Sequence, residues 1–427
     1  MFGLVDCNNF YCSCERVFNP SLRTSPVVVL SNNDGCIIAR SNEAKAMGIA
    51  MGTPFYQVRD FLERNNVAVF SSNYALYGDM SRRVMMLLAD FTPDITQYSI
   101  DEAFIDLSGF GHGETLRGYG KKIVRCVGKG TGIPVTLGIA PTKTLAKVAS
   151  KYGKRYKGYE GVCMIDTEAK RVKALEGLAI GDVWGIGRRN VRKMEFCGVK
   201  TALDFTLRSE SWVRRMFSVT GVRTWKELQG VSCIDIGELP QKKSICTSRS
   251  FADRGLREIG KVEEAVANFA SSCSRKLKEQ KSCCRAITVF VYTSRFNTSE
   301  LYHAINRTVT LPVATNDLRE IVSSAVAALR SEWRGDGIYS YKKAGVIVWN
   351  ICPDTAVQTD LFDPVDRGKQ ARLAAAIAAI NRKNGYNTVK VAVQGTDKGW
   401  HLKHEHASRH YTTNIDDVIS VRTFRRQ

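Results

Sequence analysis

Apolar residues along the first ~165 positions come in two rhythms. Gly3-Leu4-Val5 running into Asp6, Pro26-Val27-Val28-Val29-Leu30, and the stretches 98–107 and 134–139 are short runs of strand composition. Between them, 81–89 and 143–152 repeat apolar residues at helical spacing. Such interleaving predicts a sheet with helices packed on it. From 167 to 237 the pattern becomes helical and rich in Arg and Lys. Gln241-Lys242-Lys243 then reads as an exposed linker into a second mixed unit. That unit begins with a strand at 245–251 and a helix carrying Val262, Val266, Phe269, Cys273 and Leu277 on one face. Strands at 286–293 and 305–311 follow, then a helix lined by Leu318, Val322, Ala325, Leu329 and Trp333, and a strand at 344–349. The order β-α-β-β-α-β predicts a ferredoxin-like unit with two helices on one face of a four-stranded sheet. Past Asn350 come an irregular stretch, an Ala-rich helix with Leu373, Ile377 and Ile380 on one side, and an alternating strand at 388–393. A polar tail holding four of the six histidines ends the chain. The fold class is α+β and multidomain.

Length and charge narrow the partners. At ~100–200 residues per domain, 427 residues make about two to four domains. The excess of 62 Lys and Arg over 42 Asp and Glu leaves +20, which favours a polyanion, nucleic acid ahead of an anionic membrane. No run of ~18 apolar residues offers a membrane span. Met1-Phe2-Gly3-Leu4-Val5-Asp6 meets an acid before an apolar core long enough for a signal peptide. Thirteen cysteines, an odd number, read as reduced thiols of a cytoplasmic protein, with Cys7, Cys12 and Cys14 packed.

Acid is concentrated where two apolar strands end: at Asp6, and at Asp101-Glu102 within Ser99-Ile100-Asp101-Glu102-Ala103-Phe104. Neighbours in a regular strand face opposite sides, so Asp101 and Glu102 serve one site only at a hairpin tip or bulge. Three carboxylates brought together repel unless a multivalent cation lies between them, and oxygen-only ligands favour Mg²⁺ or Mn²⁺ over zinc. Taken alone, these residues are equally two exposed hairpin charges and a helix cap.

The surrounding text separates these readings. Asp6-Cys7-Asn8-Asn9-Phe10-Tyr11-Cys12-Ser13-Cys14-Glu15, followed by Tyr98-Ser99-Ile100-Asp101-Glu102-Ala103, resembles the two catalytic motifs of Y-family translesion DNA polymerases. The resemblance is to the UmuC-type catalytic subunits of bacterial DNA polymerase V, plasmid-borne relatives included. It continues through Ser31-Asn32-Asn33-Asp34-Gly35-Cys36, Ser71-Ser72-Asn73-Tyr74, Thr142-Lys143-Thr144-Leu145-Ala146-Lys147, Val183-Trp184-Gly185-Ile186-Gly187-Arg188-Arg189 and Ser408-Arg409-His410-Tyr411-Thr412-Thr413. It implies an error-prone, DNA-templated DNA polymerase of the SOS response, acting by two-metal nucleotidyl transfer on a right-hand fold. Palm would be 1–24 and 78–166, fingers 25–77, a helix-hairpin-helix thumb 167–240, a βαββαβ little finger 241–350, and a C-terminal region 351–427.

Carried over by residue, Asp6 and Asp101 would bridge two Mg²⁺ ions, for which Mn²⁺ can substitute. Glu102 would hold the ion at the primer 3′-hydroxyl, and the Cys7 carbonyl would contact the ion on the nucleotide side. Tyr11 on spacing alone is a core aromatic beside Phe10; the resemblance makes it a steric gate against a ribose 2′-hydroxyl. Asn42 and Lys45 stand where many members have Tyr and Arg, and Lys45 offers a point charge without the fork of Arg. Lys154 matches the triphosphate lysine, so Phe10, Tyr11, Asn42, Lys45 and Lys154 form the nucleotide set. Lys143, Lys147 and Lys151 read as an ordinary solvated helix face.

Gly185-Ile186-Gly187 before a helix is a phosphate-binding turn. Ten Lys or Arg against three acids between Gly185 and Lys226 reinforce Arg188, Arg189 and Lys193 as DNA contacts. In the second unit Lys242, Lys243, Arg249, Arg254, Lys276, Lys278 and Arg285 are basic, with Arg249 the foremost candidate for template-primer DNA. No stretch remains for a proofreading exonuclease, and small fingers imply weak geometric selection. Gln358-Thr359-Asp360-Leu361-Phe362 resembles a sliding-clamp peptide through Gln358, Leu361 and Phe362. Residues 363–427 imply assembly with a processed UmuD-like dimer and a RecA filament. His401, His404 and His406 lack cysteine partners and read as surface residues. A nucleotidyl cyclase palm would not need the basic helix-hairpin-helix, and a catalytically idle DNA-binding scaffold would not need all three carboxylates.

Overall fold

Phe2–Cys7, the first strand, is apolar up to its last turn of chain and pairs on both edges, which places it in the middle of a sheet. A computed structural model describes residues 1–237, 241–252, 255–297, 299–385, 387–396, 400 and 402–420. The chain divides into Met1–Leu239 with His404–Gln427, and Pro240–Lys403. Residues 351–427, expected as one C-terminal region, are therefore split between the two units.

The first unit contains β1 (Phe2–Cys7), β2 (Val27–Leu30), β3 (Ile37–Arg40), β4 (Ala68–Phe70), β5 (Ile95–Gln97), β6 (Glu102–Asp106), β7 (Val135–Ala140) and β8 (Val162–Met164). Five of them form one sheet in the order β5-β6-β1-β7-β8, antiparallel except for β7–β8. Its two faces have separate cores. Val5, Cys7, Ala103, Ile105, Leu137 and Ile139 pack with the helices Phe10–Phe18, Tyr74–Ala89 and Gly113–Thr131. Leu4 and Phe104 pack with the helix Lys143–Arg155 and the basic helices that follow. The small sheet β3-β2-β4 has its own core of Val28, Leu30, Ile37, Ala44 and Leu62.

In the first unit one stretch departs from the sequence reading. Residues 98–107 are not a continuous strand; 98–101 is a turn between β5 and β6. The Ser99 hydroxyl accepts the N–H groups of Asp101 and Glu102 at 3.3 and 3.0 Å, a local alternative to ladder pairing.

Close approach fixes the helix Lys143–Arg155 on the sheet. A Cβ at Gly138 in β7 would collide with the Ala146 carbonyl oxygen and the Ser150 nitrogen, so only glycine admits the helix here. Its N-terminus is held by Glu227, a fully buried carboxylate at the end of the helix Glu210–Leu228. Glu227 accepts the Thr144 N–H at 2.9 Å and the Cys233 and Ile234 N–H groups at 2.9 and 3.1 Å. A negative charge at a helix start satisfies donors that the helix itself leaves open.

In the second unit, β9 (Ser244–Ser250), β10 (Ser282–Thr293), β11 (Ala304–Thr315) and β12 (Tyr341–Pro353) form an antiparallel sheet in the order β11-β10-β12-β9. The helices Ile259–Glu279 and Leu318–Glu332 supply its core, giving the expected βαββαβ order. The strand expected at 388–393 is absent. The Val389 N–H donates to Asn381 Oδ1 at 2.8 Å, the Val389 carbonyl accepts the Asn381 amide at 3.0 Å, and a 3₁₀ turn Ala392–Gln394 follows. All thirteen cysteines are free thiols. Among the described residues no helix is long and apolar enough to cross a membrane.

Gly138→Ala is expected to destabilise the protein by about 1–3 kcal/mol, the usual cost of overpacking. A clearly lowered unfolding temperature supports the close approach; an unchanged one contradicts it.

Candidate active site

Alternation along β1 and β6 decides which side chains meet. Leu4 and Phe104 face the core under the helix Lys143–Arg155. Side chains two apart share a face, and Asp6 pairs with Glu102 in register, so both carboxylates emerge toward that helix. Asp101 precedes them in the turn, where its carbonyl oxygen accepts the Cys7 N–H at 2.9 Å and its carboxylate accepts the Ser99 hydroxyl at 2.6 Å. The break in the strand at 98–101 meets the geometric condition for adjacent acids at one place.

Each of these carboxylates has a partner. Lys154 pairs with Asp6. Lys147 Nζ donates to both oxygens of Glu102 at 2.9 Å. Its ammonium lies 4.6 Å from the Tyr98 ring centre and 5.4 Å from that of Trp184, a cation–π cage tightened by a 3.0 Å bond from Trp184 Nε1 to the Tyr98 hydroxyl. The expectation of a solvated lysine face therefore fails for Lys147 and for the half-buried Lys143, while Lys151 is exposed as expected. Lys143 donates to the Ile234 carbonyl at 2.7 Å, and Lys151 pairs with Asp182 at 2.5 Å. Helical spacing places the three lysines on one face; it does not reveal that a carboxylate-bearing sheet end lies opposite.

The three acids are thus neighbours along the backbone while their side chains are drawn apart. Among the described residues no group of three or more His, Cys, Asp or Glu is arranged to hold a metal ion. The donor set still fits a hard divalent cation: its oxygens belong to carboxylates on adjoining backbone, with Asp6 and Glu102 each held by a lysine and Asp101 by the Ser99 hydroxyl. Burial pushes the Asp6 carboxyl up to about 6; Lys154 opposes the rise, and Glu102 and Asp101 add to it. Burial raises the Cys7 thiol still further, which keeps it protonated.

A cleft of about 790 Å³ opens beside these residues, lined by Asp6, Asp101, Phe10, Tyr11, Asn42, Lys45, Lys151, Lys154 and Arg155 among others. Glu102, turned onto Lys147, is not among those lining residues. Asn9, in a left-handed conformation with φ 49°, turns β1 into the helix Phe10–Phe18. Its amide donates to Asn42 Oδ1 at 3.0 Å and its oxygen accepts Lys45 Nζ at 2.5 Å, bringing both to the cleft. Burial lowers the pKa of Lys45, and the nearby Arg40 and Lys154 lower it further. Tyr11 stacks on Tyr77 with ring centres 4.4 Å apart. Asn9, Lys147 and Arg155 escaped the sequence reading; the Asn8-Asn9 pair at a strand end is a turn signal that marks the first of them.

The remaining candidates are dispersed. Gly185, at φ 88°, and Gly187 lead into the helix Arg188–Phe196, on which Arg188, Arg189 and Lys193 are exposed. Arg249 is half-buried with its guanidinium 5.1 Å from the Trp400 ring centre. Arg254 lies outside the described residues. Gln358 is exposed in an irregular segment where Leu361 and Phe362 are 92% and 86% exposed. His404 is exposed and His401 lies outside the described residues. His406 is not the surface residue expected: it packs edge-on against Phe55 at 5.6 Å and exchanges hydrogen bonds with Ser71.

Residues 5–151 match the impB/mucB/samB family, 242–361 match the C-terminal domain of that family, and 371–421 match a domain of unknown function. The chain is 42% identical to Protein ImpB of Salmonella typhimurium, covering 99% of this chain and 100% of the relative. It is 41% identical to Protein UmuC of the LT2 strain, with the same coverage. A DNA polymerase IV of Desulfatibacillum aliphaticivorans is 27% identical over 93% of this chain and 97% of its own. A solved Y-family DNA polymerase chimera superposes with a TM-score of 0.65, covering 83% of this chain and all of the chimera; at 20% identity this speaks for fold alone.

In the chelator-treated protein Asp6 is expected to titrate near pH 6, and Lys154→Met to move that midpoint upward, because the ammonium is what holds it down. Carboxyl NMR measures both. An ordinary carboxylate midpoint, or a downward shift in the variant, contradicts the assignment.

Proposed function

The chain belongs to the impB/mucB/samB family of UmuC-type Y-family DNA polymerases, and from that premise we propose how its residues divide the work. It is a nucleotidyltransferase, a DNA polymerase of lesion bypass and SOS mutagenesis. The cyclase and idle-scaffold alternatives fall away, since relatives about 40% identical match it from end to end.

The observation that carries the residue assignment is the pairing of Asp6 with Glu102, with Asp101 one step away in the turn, beside a cleft rich in cations. Asp6 and Asp101 would hold two Mg²⁺ ions, Glu102 the one at the primer terminus, and the Cys7 carbonyl the one at the nucleotide; Mn²⁺ has the same ligand preferences. When bound, the ions supply the charge that makes the 3′-hydroxyl a nucleophile and neutralises departing pyrophosphate. Lys154 and Lys45, with Asn42, would bind the triphosphate, so Lys154 exchanges one anion, the Asp6 carboxylate, for another. Lys147 would release Glu102 to the primer side while its aromatic cage keeps it nearby. Phe10 and Tyr11 would floor the sugar pocket, with Tyr11 excluding a 2′-hydroxyl by collision.

The palm would be 1–24 and 78–166, the fingers 25–77, the thumb 167–240 and the little finger 241–350. Gly185, Gly187, Arg188, Arg189 and Lys193 would hold phosphates without reading bases. Arg249 would do so in the second unit, its guanidinium steadied by Trp400. Gln358, Leu361 and Phe362 would enter a sliding-clamp cleft, a role their exposure permits. A processed UmuD-like dimer and a RecA filament would complete the assembly, in the cytoplasm and at the nucleoid during DNA damage.

Asp101→Ala and Glu102→Ala are expected to lower primer extension at least about a hundredfold while template-primer affinity changes less than about twofold. Extension assays with the accessory partners present, alongside gel-shift titration, separate the two; full activity in either variant refutes the assignment. Affinity for primer-template should also fall linearly in log–log form with added salt and show no sequence preference. A salt-independent affinity contradicts phosphate-based binding.

A further inference from the structure

Residues 404–413 return to the first unit and are built into it. The Ser71 N–H donates to the His406 carbonyl at 2.9 Å, and the His406 N–H donates to the Ser71 hydroxyl at 3.0 Å. The Glu405 N–H donates to Asp34 at 2.9 Å. The Asn73 amide donates to the Ser408 hydroxyl at 3.0 Å and the Arg409 carbonyl at 3.1 Å. Tyr411 stacks on Phe18 with ring centres 4.8 Å apart and planes 8° from parallel. A segment tethered through both backbone and side chains is a wall of the unit.

At its centre lies a buried carboxylate that the nucleotidyl-transfer residues leave unexplained. Glu15, 2% exposed, sits on the helix that begins with Phe10 and Tyr11. Its Oε1 accepts the Tyr77 hydroxyl at 2.7 Å and the Ser408 hydroxyl at 3.0 Å. Burial holds its carboxyl up at about 7, against the opposing pull of those two donors. Tyr77 is fully buried, and its ring lies 16° from parallel to Tyr11 at 4.4 Å. The contacts therefore run without a gap from Ser408 through Glu15 and Tyr77 to the ring that lines the cleft.

Stacking holds two planes together and resists sliding weakly, so a stacked ring takes its place from whatever fixes its partner. Tyr77 is fixed at its far end by the oxygen it shares with Ser408. A gate that works by collision depends on placement to within a fraction of an ångström. We infer that residues 404–413 are a positioning element of the nucleotide pocket, in which Ser408 and Glu15 hold the Tyr77 ring against Tyr11 and so set the strength of sugar discrimination. The inference rests on the reading of Tyr11 as the ring that meets the sugar. Ser408, Glu15 and Tyr77 are positioning residues and touch no substrate in this scheme.

The test compares kcat/KM for a deoxynucleotide with that for its ribonucleotide in full-length Tyr11→Ala, Ser408→Ala, Tyr77→Phe and Glu15→Gln, under conditions that support primer extension. Ser408→Ala and Tyr77→Phe are expected to lose up to roughly tenfold of the discrimination ratio, the effect of losing one buried hydrogen bond. Glu15→Gln, whose side-chain oxygen still accepts both hydroxyls, should retain most of it. A purely structural defect would depress both nucleotides in proportion and leave the ratio unchanged, and that result overturns the inference. If Tyr11→Ala abolishes discrimination while Ser408→Ala and Tyr77→Phe keep it whole, the relay fails and the gate stands. If Tyr11→Ala leaves discrimination intact, both readings fall. Should Tyr77→Phe not fold, Ser408→Ala, which removes one hydroxyl, carries the test alone.

Discussion

Antiparallel pairing of β1 with β6, in the register that sets Asp6 opposite Glu102, is the constraint on which the rest of the site depends. A one-residue slip would turn every side chain of the strand to the other face and send Asp6 into the apolar core of Val5 and Ile105. The register is held by that core, since Leu4 and Val5 have apolar neighbours on both faces of the sheet. Acidic residues sit where the pairing ends, so their burial is partial and their repulsion can be met by cations. The raised Asp6 carboxyl is the local cost of that position.

Cations come to the acids on a single helix whose height above the sheet is set by backbone contact. Gly138 admits the helix, and Glu227 fastens its first turn to the end of the basic helical segment. Lys147 and Lys154, seven residues apart and so close to two turns, consequently reach different carboxylates from one face. Charge balance, strand register and helix placement form one mechanical unit.

Much of this was legible in the sequence because the signals were periodic or local. The βαββαβ order followed from apolar alternation and helical repeats, and the acids at strand ends stood out against apolar runs. What escaped involves competition between local and long-range partners. Residues 98–107 have strand composition, yet Ser99 captures the two N–H groups that would extend the ladder. The stretch 388–393 alternates properly, but the Asn381 amide takes the backbone of Val389. Lys147 has the spacing of a solvated residue, and only tertiary structure brings Glu102 and the Tyr98–Trp184 pair to it. The polar tail at 404–413 carries no periodicity; its role comes from hydroxyl and amide contacts with residues hundreds of positions away.

Anomalous diffraction from a crystal of the full-length protein with primer-template, incoming nucleotide and Mn²⁺ tests the central claim most directly. Manganese peaks are expected within coordinating distance of Asp6 and Asp101, with Asp6 released from Lys154 and Glu102 from Lys147. Peaks bound elsewhere, with both ion pairs still closed beside a seated nucleotide, would contradict it.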